Sequence, residues 1–188
     1  MTSYTATAAA DNGILMVVDI QDRLLSAMPE VDKITIVKSV KTLLQSADLL
    51  SVPVIVTEQY PKGLGATNST ITEHLPSNTS VIEKTKFSAS QVEKVGQLLQ
   101  KSGRQQIYLA GMESHICITQ TAIDLLSRGY QVFVLEDAIC SRNSLNHQNA
   151  VSRLRQAGVI ITNVESLVFE WLKDAQHPHF RTISKWIV

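Results

Sequence analysis

Neither sign of charge is in excess in this chain of 188 residues. Its 17 Lys and Arg balance 17 Asp and Glu, for a formal net charge of zero and a sequence pI of about 7.0. A chain without a cationic field exerts no long-range pull on phosphate backbones, which argues against a nucleic-acid partner. Cysteine is scarce as well. The two thiols, Cys117 and Cys140, cannot staple a chain this long and lack the paired spacing of a zinc knuckle, so a reducing compartment fits best. Apolar runs are only a few residues long, far below the roughly 20 needed to cross a bilayer, which argues against a membrane partner. Met1 to Asn12 is rich in Ser, Thr and Ala, carries no Lys or Arg and has no continuous apolar stretch. It reads as a polar leader rather than a targeting peptide, and the expected location is the cytoplasm.

What the chain does have is apolar content, 44% of its residues, enough for one well-packed core and a single domain over 1–188. Gly13 to Asp19 (GILMVVD) is a short apolar run ending in a carboxylate, the pattern of a strand buried on both faces. Val31 to Leu50 spaces Ile34, Val37, Val40, Leu44 and Ala47 as one helical stripe. Val52 to Thr57 is a second strand, and the irregular stretch from Glu58 to Asn78 is an expected active-site loop with a short helix in it. Ser80 to Lys84 is a third strand. Ser90 with Glu93 suggests a capping box ahead of a helix carrying Val92, Val95, Leu98 and Leu99. A strand at Ile107 to Ala110, a helix at Cys117 to Arg128 stopped by Gly129, and a strand at Val132 to Leu135 follow. Then come a helix at Asn143 to Ala157, a strand at Val159 to Ile161 and a helix at Val164 to Ala175. The tail, 176–188, is apolar enough to dock on the domain or on a neighbouring subunit. Alternating strands and helices of this kind predict a three-layer α/β/α sandwich around a six-stranded parallel sheet, Rossmann-like.

Ligands of open α/β sheets bind beyond the carboxyl ends of the strands. The side chains there are Asp19, Glu58 and Gln59, Lys84 and Lys86, Glu113 to Cys117, and Asp137. Cys117 stands at or just before the start of its helix, where the dipole favours a thiolate. Cys140 has no such position and reads as a packed thiol. Gln59, Tyr60 and Phe87 are candidate substrate contacts, with turn formation and core packing as the competing roles of Tyr60 and Phe87. His115 is expected to turn away from Cys117, and His147, His177 and His179 to lie at the surface. No G-x-G-x-x-G follows the first strand, where DIQDRLL stands, so a dinucleotide-binding module is disfavoured.

Three segments, VVDIQ at Asp19, KTKFSAS at Lys84 and GMESHICITQTAIDL at Cys117, resemble in order and spacing the motifs of the isochorismatase-like cysteine hydrolases. The resemblance implies a catalytic triad of Asp19 as general base, Lys84 as charge partner and Cys117 as nucleophile, with Lys86 pointing elsewhere. It also implies a cis peptide between Met112 and Glu113, an oxyanion hole from the backbone N–H groups of Glu113 and Cys117, and self-association into a homo-oligomer. The expected activity is hydrolysis of a small amide, carbamoyl or related carbonyl compound through a thioester. The metal-binding members carry an Asp-x-His pair and a later His after the second strand, whereas EQYPKGLG here is followed only by His74. No metal and no cofactor are therefore expected. Vinyl-ether-cleaving members lack the cysteine, which makes that activity an alternative of lower rank. A redox-sensing scaffold that keeps the triad's shape is the other alternative.

Overall fold

A computed structural model describes residues 7–187, so 1–6 of the leader and Val188 of the tail lie outside the described residues. Six strands form one parallel sheet: β1 (Gly13–Val18), β2 (Val54–Gln59), β3 (Ser80–Lys84), β4 (Gln106–Met112), β5 (Gln131–Cys140) and β6 (Ile160–Thr162). The helices are α1 (Asp22–Leu25), α2 (Glu30–Leu49), α3 (Pro61–Leu64), α4 (Ser69–Thr72), α5 (Glu93–Ser102), α6 (Thr119–Ser127), α7 (Ser144–Ala157), α8 (Val164–Leu172) and α9 (Phe180–Ile187). Strand order is β3-β2-β1-β4-β5-β6, the doubly wound order of a Rossmann-like three-layer sandwich. The order reverses between β1 and β4, so a crevice opens beyond their carboxyl ends.

Period-two alternation sends the strand side chains to two cores. Leu15, Val17, Val54, Val56, Tyr108 and Phe133 pack with α2, α8 and α9 on one face. Ile14, Met16, Val18, Ile55, Ile82, Leu109 and Val134 pack with α5, α6 and α7 on the other. All six residues of β1 are buried, as an apolar run covered on both sides requires. Pro53 sits one residue ahead of β2, where its missing N–H costs no ladder bond, and its carbonyl accepts from Leu15 N–H.

Several boundaries differ from the sequence expectation, each for a local reason. In α2 the buried stripe is Ile36, Val40, Leu43, Leu44 and Ala47, and Ile34 is exposed. Both isoleucines fit a helical period, and only packing decides between them. Ser90 caps nothing: Ala89–Gln91 is a 3₁₀ turn, Val92 precedes α5, and the Ser90 hydroxyl is buried without a partner. Thr121 Oγ1 accepts the Ala89 N–H at 2.9 Å and so ties this turn to α6 before α5 begins. The loop after β2 holds two short helices instead of one. β5 runs on through Glu136 and Asp137, whose charge hides the strand's second half from a hydrophobicity reading. Asp137 leaves the candidate site: its carboxylate accepts the Val164 N–H at 2.9 Å, at the start of α8. Helix α8 stops at Leu172 rather than Ala175, because Lys173 turns left-handed at φ 62°. The tail folds back as α9, with Ile183 fully buried and Phe180, Trp186 and Ile187 against the first core.

Candidate active site

Asp19 follows β1, and its φ of 55° is left-handed, a conformation that costs an L-residue energy and that Asp tolerates better than most. Strict alternation from Leu15 and Val17 would send its side chain to the first core. The left-handed step breaks the alternation, and the carboxylate instead meets groups on the second face. Thr57 Oγ1 donates to Asp19 Oδ1 at 2.7 Å, and Lys84 Nζ donates to Asp19 Oδ2 at 2.6 Å. Both members of the ion pair have fully enclosed side chains.

Lys84 ends β3 on the same face as Ile82. Its ammonium also donates to Gln59 Oε1 at 2.6 Å, lies 3.2 Å from the carbonyl oxygens of Lys86 and Phe87, and stands 3.6 Å from Cys117 Sγ. An ammonium has three N–H donors, and this ring of acceptors can occupy them at a depth where a lone cation would be costly. Lys86 points away, to the carbonyl of Gln91.

Cys117 lies in a wide π-helical turn, Ser114–Ile118, that leads directly into α6. It is therefore inside the first turn of one continuous helix rather than ahead of it. Only 6% of the residue is exposed. The helix start does not make a thiolate here: burial first, then the Asp19 carboxylate, push the Cys117 thiol up to about 12, with Lys84 opposing them. Burial likewise raises the Asp19 carboxyl above its ordinary value, against the pull of Lys84, Thr57 and the Cys117 thiol. A buried carboxyl of raised pKa beside a protonated thiol is suited to accept a proton during the reaction. Cys140 is pushed up to about 12 too, by burial ahead of Asp32 and Glu113. With burial holding both thiols in the protonated form at neutral pH, they are expected to resist micromolar peroxide there. Mass spectrometry of peroxide-treated protein checks this, and rapid sulfenic acid formation at Cys117 would contradict it.

The loop that carries the nucleophile starts at Gly111, whose φ is 120°, and a Cβ there would meet Val18 O at 2.0 Å. The register of β4 against β5 shifts between Leu109 and Gly111. The peptide between Met112 and Glu113 is cis. Three bonds, two from the β5–α7 connection and one from α7, then clamp the loop. Glu113 Oε2 accepts the Arg142 N–H at 3.0 Å, His147 bonds Ser114 Oγ at 3.0 Å, and His115 bonds Ser141 Oγ at 2.9 Å. The His115 ring is thus bonded away from the sulfur. His147, His177 and His179 are each partly buried and partly exposed. The amide of Gln59 is committed to protein on both ends, to Lys84 through Oε1 and to the Thr85 carbonyl through Nε2 at 2.9 Å. Tyr60 and Phe87 are 55% and 53% exposed. Tyr60, Pro61, Lys62, Glu83, Lys84 and Thr85 line a cleft of about 370 Å³.

Sequence reasoning missed Thr57 and Gln21. The first reads as one more β-branched residue of a strand. The second is fully buried, and its amide accepts the Gln59 N–H at 2.7 Å and donates to the Gln59 carbonyl at 3.1 Å, fixing the end of β2.

The isochorismatase domain matches this sequence over residues 13–166, which takes in all three strand ends. The chain belongs to the isochorismatase family. Among its relatives, the secreted isochorismatase effector Isc1 of Phytophthora sojae is 38% identical over 179 residues, 94% of this chain and 84% of that protein. The structure of the MAR1 ribonuclease from Caenorhabditis elegans is similar at TM-score 0.91 and 37% identity, covering 97% of this chain and 92% of that one. The Escherichia coli YcaC gene product, described as an octameric hydrolase of unknown specificity, shares the fold at TM-score 0.86 and 21% identity, covering 98% of this chain and 97% of that one. No helix of this isochorismatase-family chain, among the described residues, is long and apolar enough to cross a membrane.

Proposed function

We propose that this isochorismatase-family chain is a cysteine hydrolase acting on a small amide, carbamoyl or related carbonyl compound. The observation that carries the reading is the single cluster in which Lys84 Nζ stands 2.6 Å from Asp19 Oδ2 and 3.6 Å from Cys117 Sγ. In the proposed reaction Asp19 takes the thiol proton as sulfur attacks the substrate carbonyl, and Lys84 balances the negative charge beside it. The backbone N–H groups of Glu113 and Cys117 receive the oxyanion. Collapse of the tetrahedral intermediate expels the leaving group with the proton held by Asp19, and water then hydrolyses the Cys117 thioester. Tyr60 and Phe87, exposed at the rim, are offered to the substrate's outer part, while Gln59 acts on Lys84. No metal or cofactor enters these steps.

A redox sensor would need a depressed thiol pKa, and burial moves Cys117 the other way. A phosphodiester substrate, which the name of the Caenorhabditis elegans neighbour would suggest, finds a chain of zero net charge whose site lysine is enclosed against Asp19. Two unpaired thiols support a reducing, cytoplasmic location. Self-association is also proposed. With α9 packed on its own domain the tail no longer argues for it, and the support comes from the exposed Val31, Ile34 and Leu145 and from the octameric description of the YcaC neighbour. Light scattering that returned a monomer mass would reject it.

The reading is tested by incubating the protein with a panel of small amides and carbamoyl compounds and measuring intact mass. An acyl adduct on the wild type that is absent from Cys117→Ala is expected. Turnover undiminished in Cys117→Ala would overturn the mechanism.

A further inference from the structure

The strand between those that carry the acid and the lysine has its own part in the site. Thr57 of β2 pairs with Val18 on one side and Ile82 on the other, and it is fully buried. It holds Asp19 twice. Its carbonyl oxygen accepts the Asp19 N–H at 3.0 Å, and its hydroxyl donates to Asp19 Oδ1 at 2.7 Å. The strand begins Val-Ile-Val-Thr, and a valine at position 57 would fill the same volume without a hydroxyl that must find a partner in an apolar layer. A hydroxyl has one hydrogen to give, and here it goes to the carboxylate. With Oδ1 held by Thr57 and Oδ2 by Lys84, the plane of the carboxyl group is fixed.

We propose that Thr57 is a positioning residue for the proposed reaction, orienting Asp19 and favouring its ionised form. The inference rests on the reading of Asp19 as general base. The charged or titratable groups that face Asp19 are Lys84 from β3 and Cys117 from the turn after β4; Thr57, from β2, is the uncharged donor. Burial disfavours the carboxylate, and a donor to one of its oxygens works against that. Removing the donor therefore raises the pKa of Asp19, so the base is present only at higher pH.

The test uses the capture of Cys117 by iodoacetamide, which needs no knowledge of the substrate. Sulfur displaces iodide, a C–S bond forms, and the thiol proton passes to Asp19. Peptide mass spectrometry separates Cys117 from Cys140, and the rate is followed from pH 5 to 9. For Thr57→Val the acid limb is expected to move up by about one pH unit, a tenfold lower rate below the limb, with recovery at high pH. Thr57→Ser, which restores the hydroxyl, is expected to keep the wild-type limb. A role confined to packing would lower stability in Thr57→Val and leave the limb in place, and that result overturns the inference. If the valine variant does not fold, Thr57→Ala carries the same expectation and the same refutation. Asp19→Asn separates the two readings. If it keeps the wild-type limb, Asp19 is not the base and the proposed mechanism fails; if it removes the limb while Thr57→Val leaves it unmoved, the role of Thr57 alone fails.

Discussion

Lys84→Met is expected to lower turnover by about three orders of magnitude or more and to lower the melting temperature by about 10 °C at pH 8. Both effects have one cause. Among the described residues Lys84 is the only cation bonded to Asp19, and both side chains of the pair are fully enclosed. Without the ammonium, an ionised Asp19 would be a buried uncompensated charge, a defect of about 3–5 kcal/mol. The carboxyl group escapes by holding its proton, and a protonated Asp19 cannot accept the proton of Cys117. The stability loss therefore depends on pH in a defined direction. In the variant the folded-state pKa of Asp19 lies further above its unfolded value, so folding is favoured at low pH and the deficit grows as pH rises past the unfolded value, near 3.9. Thermal unfolding at pH 5 and pH 8 checks this: the gap to wild type should be wider at pH 8. Equal melting temperatures at pH 8 would mean that Lys84 is not the counter-charge of Asp19.

Gly111→Ala is expected to prevent accumulation of folded protein, although the change adds a single methyl group. The added Cβ would lie 2.0 Å from the carbonyl oxygen of Val18, 2.6 Å from its nitrogen and 2.7 Å from its carbonyl carbon. All three are backbone atoms of β1, locked in register by the Val18–Gly111 pairing of the two central strands. No side-chain rotation relieves such a clash. The backbone at φ 120° adds strain of its own for any residue with a Cβ. The combined cost exceeds about 4 kcal/mol, the range reserved for mutations that break a backbone requirement. Soluble yield and circular dichroism are the measurements. A variant that folds with wild-type stability would show that β1 and β4 can separate at the crevice.

Most of the sheet is legible in the sequence because buried parallel strands are short apolar runs, and GILMVV and QIYLAGM can hardly be anything else. Of the proposed triad, Asp19 is legible as a carboxylate just past such a run, whereas Lys84, inside the mixed strand SVIEK, and Cys117, in the turn after β4, stand out only through the resemblance of their segments to the family motifs. Errors collect where sequence patterns are degenerate. Ile34 and Ile36 both satisfy a helical period, Glu136 and Asp137 interrupt a strand that continues structurally, and Ser90 with Glu93 matches a capping motif that the Thr121 contact overrides. Thr57 is silent because a β-branched residue in a β-branched strand carries no signal of function. Only the left-handed turn at Asp19, invisible to alternation, brings that carboxylate within reach of the Thr57 hydroxyl.

Enclosure of the acid has a consequence for the fate of the transferred proton. Asp19 and the side chain of Lys84 have no exposed surface, and Cys117 retains 6%. In the proposed reaction, the proton that leaves sulfur is taken up by an acid enclosed between Thr57, Lys84 and Cys117. Asp19 would then serve twice, taking the hydrogen from sulfur and handing one on to the leaving group, with Lys84 beside it throughout.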